Sequence, residues 1–393
     1  MSWAGPSQPH IQPSTAISQY SVETCETRKP TLLCLSHLRW GFVYQRPQHL
    51  MSRFAQDYRL LFWEEPVPCE EAEPWLEEHP GNVTVLVPRL PHRFQGNTPM
   101  TVEAQRGLLD DYLARHEARD LLLWYYTPMS LAFSAHLPAR LVVYDCMDEL
   151  SAFRGAPPEL LICERALLKR ADVVFTGGYS IWEAKRRLHD NAHPMPSSVD
   201  IAHFAAARQP LQQPADQVQL PSPRLGFFGV IDERFDLDLI DQVAVMRPHW
   251  QIVLIGPVVK IDPAGLPRRD NLHYLGGKRY DELPAYLAGW DVALMPFALN
   301  EATRFISPTK TPEYLAGGCP VVSTSITDVV RHYGNSELVL IADGAAAFVE
   351  AIEEALLLSA DRPALQAAAD RILGDMSWDK TWSAMREKIQ CAM

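Results

Sequence analysis

No apolar run in this 393-residue chain approaches the ~20 residues that a membrane span requires. The N-terminal stretch also lacks the basic-then-apolar layout of a secretion signal. Both absences point to a cytoplasmic protein, with peripheral contact at the inner membrane face left open. An excess of positive charge is missing too. The formal net charge is −12 and the pI about 5.5, which argues against nucleic acid as a principal partner. The seven cysteines are odd in number and scattered, with no pair at zinc-like or redox-like spacing, so a reducing compartment is expected. No Gly-x-Gly-x-x-Gly follows the first expected strand and no phosphate-loop Gly-Lys-Ser/Thr occurs, which leaves dinucleotide enzymes and kinases of those classes without support. His189, His193 and His203 are loosely spaced and read as loop residues, so no metal site is assigned.

What is present is ordinary globular composition, 47% hydrophobic and 21% charged, at a length that allows two or three domains. Residues 1–30 are rich in Ser, Pro, Gln and Thr and read as a poorly ordered tail. Short continuous apolar runs at 31–36, 60–63, 83–87, 121–125, 141–144 and 173–176 read as buried strands, with helical periodicity at 46–55, 101–118, 158–170 and 180–188. The same rhythm restarts with strands at 225–230, 251–255, 272–275, 292–296, 321–323 and 338–341 and helices at 236–246, 283–289, 312–316 and 345–359. Alternation of this kind specifies parallel sheets covered on both faces. The expected architecture is α/β, with two Rossmann-like doubly wound domains facing across a cleft. An N-terminal domain spans 31–205 and a Gln- and Pro-rich linker with little to bury spans 206–222. A C-terminal domain spans 223–375, and a last helix, 376–393, has the option of packing back on the first domain. Ligands of such sheets bind beyond the carboxyl ends of the strands, which puts the site between the domains. Lys169, Arg170, Lys185, Arg186 and Arg187 form a basic cluster that fits either anionic head groups or the solvated faces of two helices.

Four segments carry the chemistry. Ser307-Pro308-Thr309-Lys310-Thr311-Pro312-Glu313-Tyr314-Leu315-Ala316-Gly317-Gly318 reads as a short helix capped by Thr311, started by Pro312 and stopped at the paired glycines. Free N–H groups at such a start, with Lys310 beside them, suit a phosphate, and Glu313 can accept hydrogen bonds from a sugar's vicinal hydroxyls. The alternative is a plain loop-helix-strand connection with a solvated Lys and a Glu that favours the helix dipole. After the first strand come His37, Arg39, Gly41, Arg46 and His49, where Gly41 permits close backbone approach and the polar groups stand at the sheet's mouth. Asp148, beyond the strand ending at Tyr144, is either a base toward an acceptor hydroxyl or the N-cap of a turn. Gly229 and Arg234 open the second domain, the arginine being either a diphosphate clamp or a surface residue.

Taken in order, these segments resemble the two-domain (GT-B) glycosyltransferases, and more narrowly the family 4-like group that makes bacterial surface polysaccharides. The likeness rests on Trp40-Gly41-Phe42-Val43-Tyr44-Gln45-Arg46-Pro47-Gln48-His49-Leu50, on Met195-Pro196-Ser197-Ser198-Val199-Asp200, on the Gly226 to Arg234 loop and on the block from Pro308 to Val322. It implies an acceptor-binding first domain with His37, Arg39, Arg46 and His49 in the cleft, and a second domain that binds a nucleotide-diphosphate sugar, most often a UDP sugar. By resemblance Glu313 holds the ribose, Arg234 and Lys310 meet the diphosphate, Gly41 belongs to the glycine loop closing on it from the other domain, Thr309 and Gly229 belong to the donor site, and Tyr280 belongs to the stretch that cradles the base. No metal ion and no cofactor beyond the nucleotide sugar is implied.

Three features depart from the family pattern. Glu301 and Glu313 have eleven residues between them, more than the paired glutamates of many relatives. Val230 replaces a usual basic residue, and Met147-Asp148 stands where a histidine is common. An Asp base suits inversion, whereas the nearest relatives by motif mostly retain configuration. The expected function is transfer of a sugar from a nucleotide diphosphate to an acceptor hydroxyl of a glycan or lipid-linked acceptor. A non-catalytic nucleotide-binding subunit and a sugar-nucleotide epimerase are the competing expectations.

Overall fold

Two successions of short apolar runs form two separate parallel sheets in the computed structural model, which describes residues 29–96, 98–307, 309–374 and 376–393. The tail expected at 1–30 falls outside the described residues as far as residue 28, as do Cys25 and Pro308. The first sheet contains β1 (Thr31–Leu35), β2 (Arg59–Trp63), β3 (Val67–Cys69), β4 (Trp75–His79), β5 (Val83–Pro91), β6 (Leu122–Tyr125), β7 (Leu141–Cys146), β8 (Val173–Thr176) and β9 (Ala192–Pro194). Its order is β3-β5-β2-β1-β6-β7-β8-β9, all parallel, with β4 added antiparallel to β5. The second sheet, from β10 (Arg224–Phe228), β11 (Gln251–Ile255), β12 (Leu272–Gly276), β13 (Val292–Met295), β14 (Val321–Ser323) and β15 (Val339–Ile341), has the order β12-β11-β10-β13-β14-β15. Strands buried on both faces read as unbroken apolar runs, and β1, β6 and β13 are buried at every residue.

In each sheet the first strand lies where the order reverses, β1 between β2 and β6 and β10 between β11 and β13. Crevices open at such switch points, so the loops after β1 and β10 are positioned to hold ligand. Packing fixes β10 closely. Trp290 is fully buried against Gly226, where a Cβ would fall 1.9 Å from the indole.

The helix Trp378–Ala392 leaves the C-terminal domain and packs on the N-terminal one. Its buried Trp378, Met385 and Ile389 join the cluster containing Leu32, Phe54 and Phe175, and Arg53 pairs with Asp379 at 2.8 Å. The linker differs from its expected character. Gln217 is fully buried, donating to the Tyr286 carbonyl at 2.9 Å and accepting from the Trp290 indole at 2.8 Å. A glutamine that satisfies two buried groups fastens the segment to the C-terminal domain without apolar content. The basic cluster is also smaller than its sequence suggests. Lys185 is buried between Glu149 at 2.7 Å and Glu164 at 2.6 Å, and Arg170 donates to the carbonyls of Ala135 and Leu137. No helix among the described residues is long and apolar enough to cross a membrane.

Candidate active site

A cavity of about 260 Å³ separates the domains at the carboxyl ends of β1 and β10. The N-terminal domain lines it with Trp40, Gly41 and Tyr44, and the C-terminal domain with Gly229, Tyr280 and Lys310. Gly229 and its neighbour Gly256, which the sequence reading missed, let two strand ends converge there. A Cβ on Gly256 would stand 1.7 Å from the Gly229 carbonyl oxygen, and both residues have positive φ, 148° and 156°. The signal available was the Gly256-Pro257 pair directly after β11. Gly41 has no protein atom within 4 Å of its would-be Cβ, so the fold itself leaves room beside it.

Tyr280 is held by stacking. His203 lies on one side, centroids 4.1 Å apart with planes 7° from parallel, and Tyr44 of the N-terminal domain stacks on Tyr280 at 4.6 Å. The Tyr280 hydroxyl is buried without a hydrogen-bond partner. His49 is a correction to its reading as a residue of the open mouth. It is buried, stacked on Trp378 at 4.5 Å and set edge-on to Tyr44 and Tyr280. Burial first, then the charges of Arg53, Lys310 and His203, depress its pKa to about 3. His203, taken from sequence as a loop residue, instead anchors Tyr280 by its ring and by an Nε2 contact to the Tyr280 carbonyl at 3.0 Å.

The motif helix spans Lys310–Ala316 and starts earlier than expected, with Thr309 at the N-cap and making no side-chain capping bond. Thr311 is therefore not the cap. It lies inside the first turn, where Pro312 is tolerated because first-turn amides need no intrahelical acceptor. The Thr311 hydroxyl is buried without a partner in the protein, a state that calls for a ligand, a water or an ion. Lys310 Nζ sits 3.0 Å from Glu313 Oε2 and over the Phe228 ring at 5.1 Å. Burial raises the pKa of Glu313, against the opposing pull of Lys310.

Toward the N-terminal sheet the cleft gathers a second group. Arg234 donates from Nε and Nη2 to Asp232, at 3.0 and 2.8 Å, and its guanidinium stands 5.2 Å from the Phe153 ring centroid. It does not line the cavity that Lys310 lines. Lys260, another residue the sequence reading missed, stands 5.4 Å from the same ring and has a left-handed backbone (φ 61°), which is uncommon for a side-chain-bearing residue. Asp148 lies within the fields of Arg234, Arg46 and Lys260. Burial raises its pKa, and these cations oppose the rise. His37 is pushed down to about 4 by burial and then by Lys260, against the backbone hydrogen bond at Tyr126.

Two further sequence readings are corrected. Arg46 is not at the mouth. It is 1% exposed, forks onto Asp145 at 2.8–3.2 Å and donates to the Met195 carbonyl at 2.6 Å. An ionised guanidinium in a dry interior requires such a partner. Arg39 turns away from the interdomain cavity, pairing with Glu64 at 3.0 Å and donating to the carbonyls of Glu65 and Pro66.

Two doubly wound domains whose switch points face each other across a groove define the GT-B architecture, and solved structures share it. A sucrose-phosphate synthase from Thermosynechococcus elongatus superposes with a TM-score of 0.67 at 15% identity, covering 91% of this chain and 98% of that one. The E. coli trehalose-6-phosphate protein bound with UDP-2-fluoro glucose gives 0.66 at 13% identity, over 92% and 99%. Anabaena HepE in complex with UDP and glucose gives 0.62 at 15% identity, over 91% and 99%. Residues 222–357 match the family of glycosyl transferases group 1. The chain is also 25% identical over 315 residues to TuaH of Bacillus subtilis (strain 168), named for teichuronic acid biosynthesis as a glycosyltransferase. That match covers 73% of this chain and 79% of the relative.

Proposed function

We propose that this glycosyltransferase uses a UDP sugar and transfers the sugar to a hydroxyl of a glycan or lipid-linked acceptor. The observation that carries the reading is the interdomain cavity, walled by Gly41 and Tyr44 on one side and by Gly229, Tyr280 and Lys310 on the other. Glu313, next to Lys310, accepts the ribose hydroxyls, and the orphan hydroxyls of Thr311 and Tyr280 gain partners on the donor. Lys310 shifts from Glu313 to the diphosphate, while Arg234 supplies a second cation. Thr309 offers a hydroxyl at the same turn.

In the transfer step the acceptor oxygen bonds to the anomeric carbon as the bond from that carbon to the diphosphate oxygen breaks. Charge growing on the leaving diphosphate is met by Lys310 and Arg234, so its departure needs no metal ion or other cofactor. Asp148 orients the acceptor hydroxyl and receives its proton as the displacement proceeds. Support for a UDP donor comes from the two neighbours solved with UDP or a UDP sugar.

Thermal shift with UDP, GDP and dTDP tests the proposal, because a ligand that binds only the folded chain raises its melting temperature. UDP is expected to give the largest rise, and Glu313→Ala to remove most of it. A chain whose melting temperature no nucleotide moves would overturn the reading.

A further inference from the structure

A second cavity, about 460 Å³, opens within the N-terminal domain at the carboxyl ends of β1, β2, β5 and β6. Its volume falls in the ~300–1,000 Å³ range of small-molecule pockets. Trp63, Leu90, Phe94, Met129 and Phe133 give it an apolar wall, and Gln105, Thr127 and Ser130 supply uncharged polar groups. Its charged lining is of one sign. Glu64 and Glu65 border it, and no Lys, Arg or His lines it among the described residues.

The two carboxylates differ in what they can do. Glu64 is committed, one oxygen to the Trp40 amide at 2.7 Å and the other to Arg39 at 3.0 Å. Glu65 lends only its carbonyl to Arg39, and its carboxylate makes no hydrogen bond or ion pair among the described residues. It is therefore an acceptor-only group at the rim of an apolar pocket. Sugar hydroxyls satisfy such a carboxylate, and an apolar ring face or alkyl chain satisfies the aromatic wall. A phosphate or carboxylate there would meet the Glu65 carboxylate with no cation in the lining, since Arg39 and Lys260, whose charges reach Glu65, stand outside it.

We infer that this cavity seats an uncharged acceptor moiety, a neutral glycoside whose hydroxyls donate to Glu65 and whose ring face or apolar aglycone lies on the aromatic wall, and excludes anionic acceptor groups. The inference rests on the transferase reading above and names the acceptor class for it.

The test uses the full chain saturated with UDP, whose own binding is measured first by calorimetry. Octyl β-D-glucoside below its micellar concentration and p-nitrophenyl β-D-glucoside are then titrated against glucose 6-phosphate and glucuronate. The neutral glycosides are expected to bind at least about tenfold more tightly than the anions, a ratio that one or two like-charge contacts readily produce. Glu65→Gln should narrow that ratio by weakening the glycosides and admitting the anions. Met129→Trp, which fills the cavity, should remove glycoside binding and leave UDP binding unchanged. Should that variant fail to fold, the exposed Glu65→Gln alone decides. Equal or tighter binding of the anions, or no glycoside binding in a chain that binds UDP, overturns the inference. Absence of UDP binding instead sinks the donor reading.

Discussion

Tyr44 from the N-terminal domain stacks on Tyr280 from the C-terminal domain with ring centroids 4.6 Å apart, while His203 stacks on Tyr280 at 4.1 Å. No Tyr44–His203 ring contact accompanies these two stacks, so the rings take opposite faces of Tyr280. A base that is to lie on Tyr280 must therefore displace Tyr44. Aromatic pairs of this kind are worth roughly 0.5–1.5 kcal/mol beyond area burial. Tyr44→Ala is expected to tighten UDP binding by about two- to tenfold, the factor that this energy sets. Calorimetry checks it, and weaker binding in the variant would mean that Tyr44 covers the base instead of competing with it.

Glu313 gives a test at the level of a single hydroxyl. Loss of a charge-assisted hydrogen bond costs roughly 1.5–3 kcal/mol, so Glu313→Ala should weaken UDP binding by more than tenfold. If the carboxylate holds the ribose, 2′-deoxy-UDP binds the wild type more weakly than UDP does, and the variant no longer distinguishes the two. Equal discrimination in both proteins would place the carboxylate elsewhere.

Asp148 should affect turnover without affecting the donor. Its replacement by Asn keeps the shape and removes the proton acceptor, a change worth about 10²- to 10⁴-fold in rate where a side chain performs general base catalysis. The expected result is that loss in kcat with the UDP dissociation constant unchanged. A variant of undiminished kcat would remove Asp148 from the reaction.

The sequence disclosed what is local and withheld what depends on distant partners. β1, β7 and β13 were legible because strands buried on both faces must be apolar throughout. β4 was not, because Trp75-Leu76-Glu77-Glu78-His79 is a half-exposed edge strand whose only sheet partner among the described residues is β5. Nor was the burial of Gln217, since nothing local foretells that a glutamine will satisfy Tyr286 and Trp290 across the linker. In the site, Lys310 and Glu313 stand three residues apart on one helix and were readable as a pair, whereas Lys260 matters through its left-handed backbone and the Phe153 ring it faces, neither of which the sequence displays.

Arg46 shows the same limit from the other side, since its partner Asp145 is 99 residues away. The pair is 1% and 0% exposed, so removing one member strands an uncompensated charge, at a cost of about 3–5 kcal/mol. Arg46→Ala and Asp145→Ala are each expected to lower stability by that amount in urea unfolding. Residual folded protein should keep its UDP affinity, because both side chains are spent on each other and on the Met195 carbonyl in the interior. A stable Arg46→Ala chain that fails to bind UDP would return the arginine to the site.

His49 makes stability depend on pH. The unfolded imidazole titrates near 6.5, but burial, followed by the charges of Arg53, Lys310 and His203, holds the folded one at about 3. Between these values the unfolded chain binds a proton that the folded chain does not. Stability therefore falls as pH drops below about 6.5, and the effect is spent near 3. His37, lowered to about 4, acts in the same direction over a narrower window. The raised carboxyls of Asp148 and Glu313 act in the opposite direction, so a single titration of the wild type mixes the contributions. Comparison with His49→Phe isolates one. Phenylalanine keeps an aromatic ring against Trp378 and removes the titration. Urea unfolding at pH 7, 6, 5 and 4 should show the wild type losing stability faster than the variant, by up to roughly 1.4 kcal/mol per pH unit. Identical slopes for the two proteins would mean that His49 becomes charged in place, and that its stack on Trp378 tolerates an imidazolium.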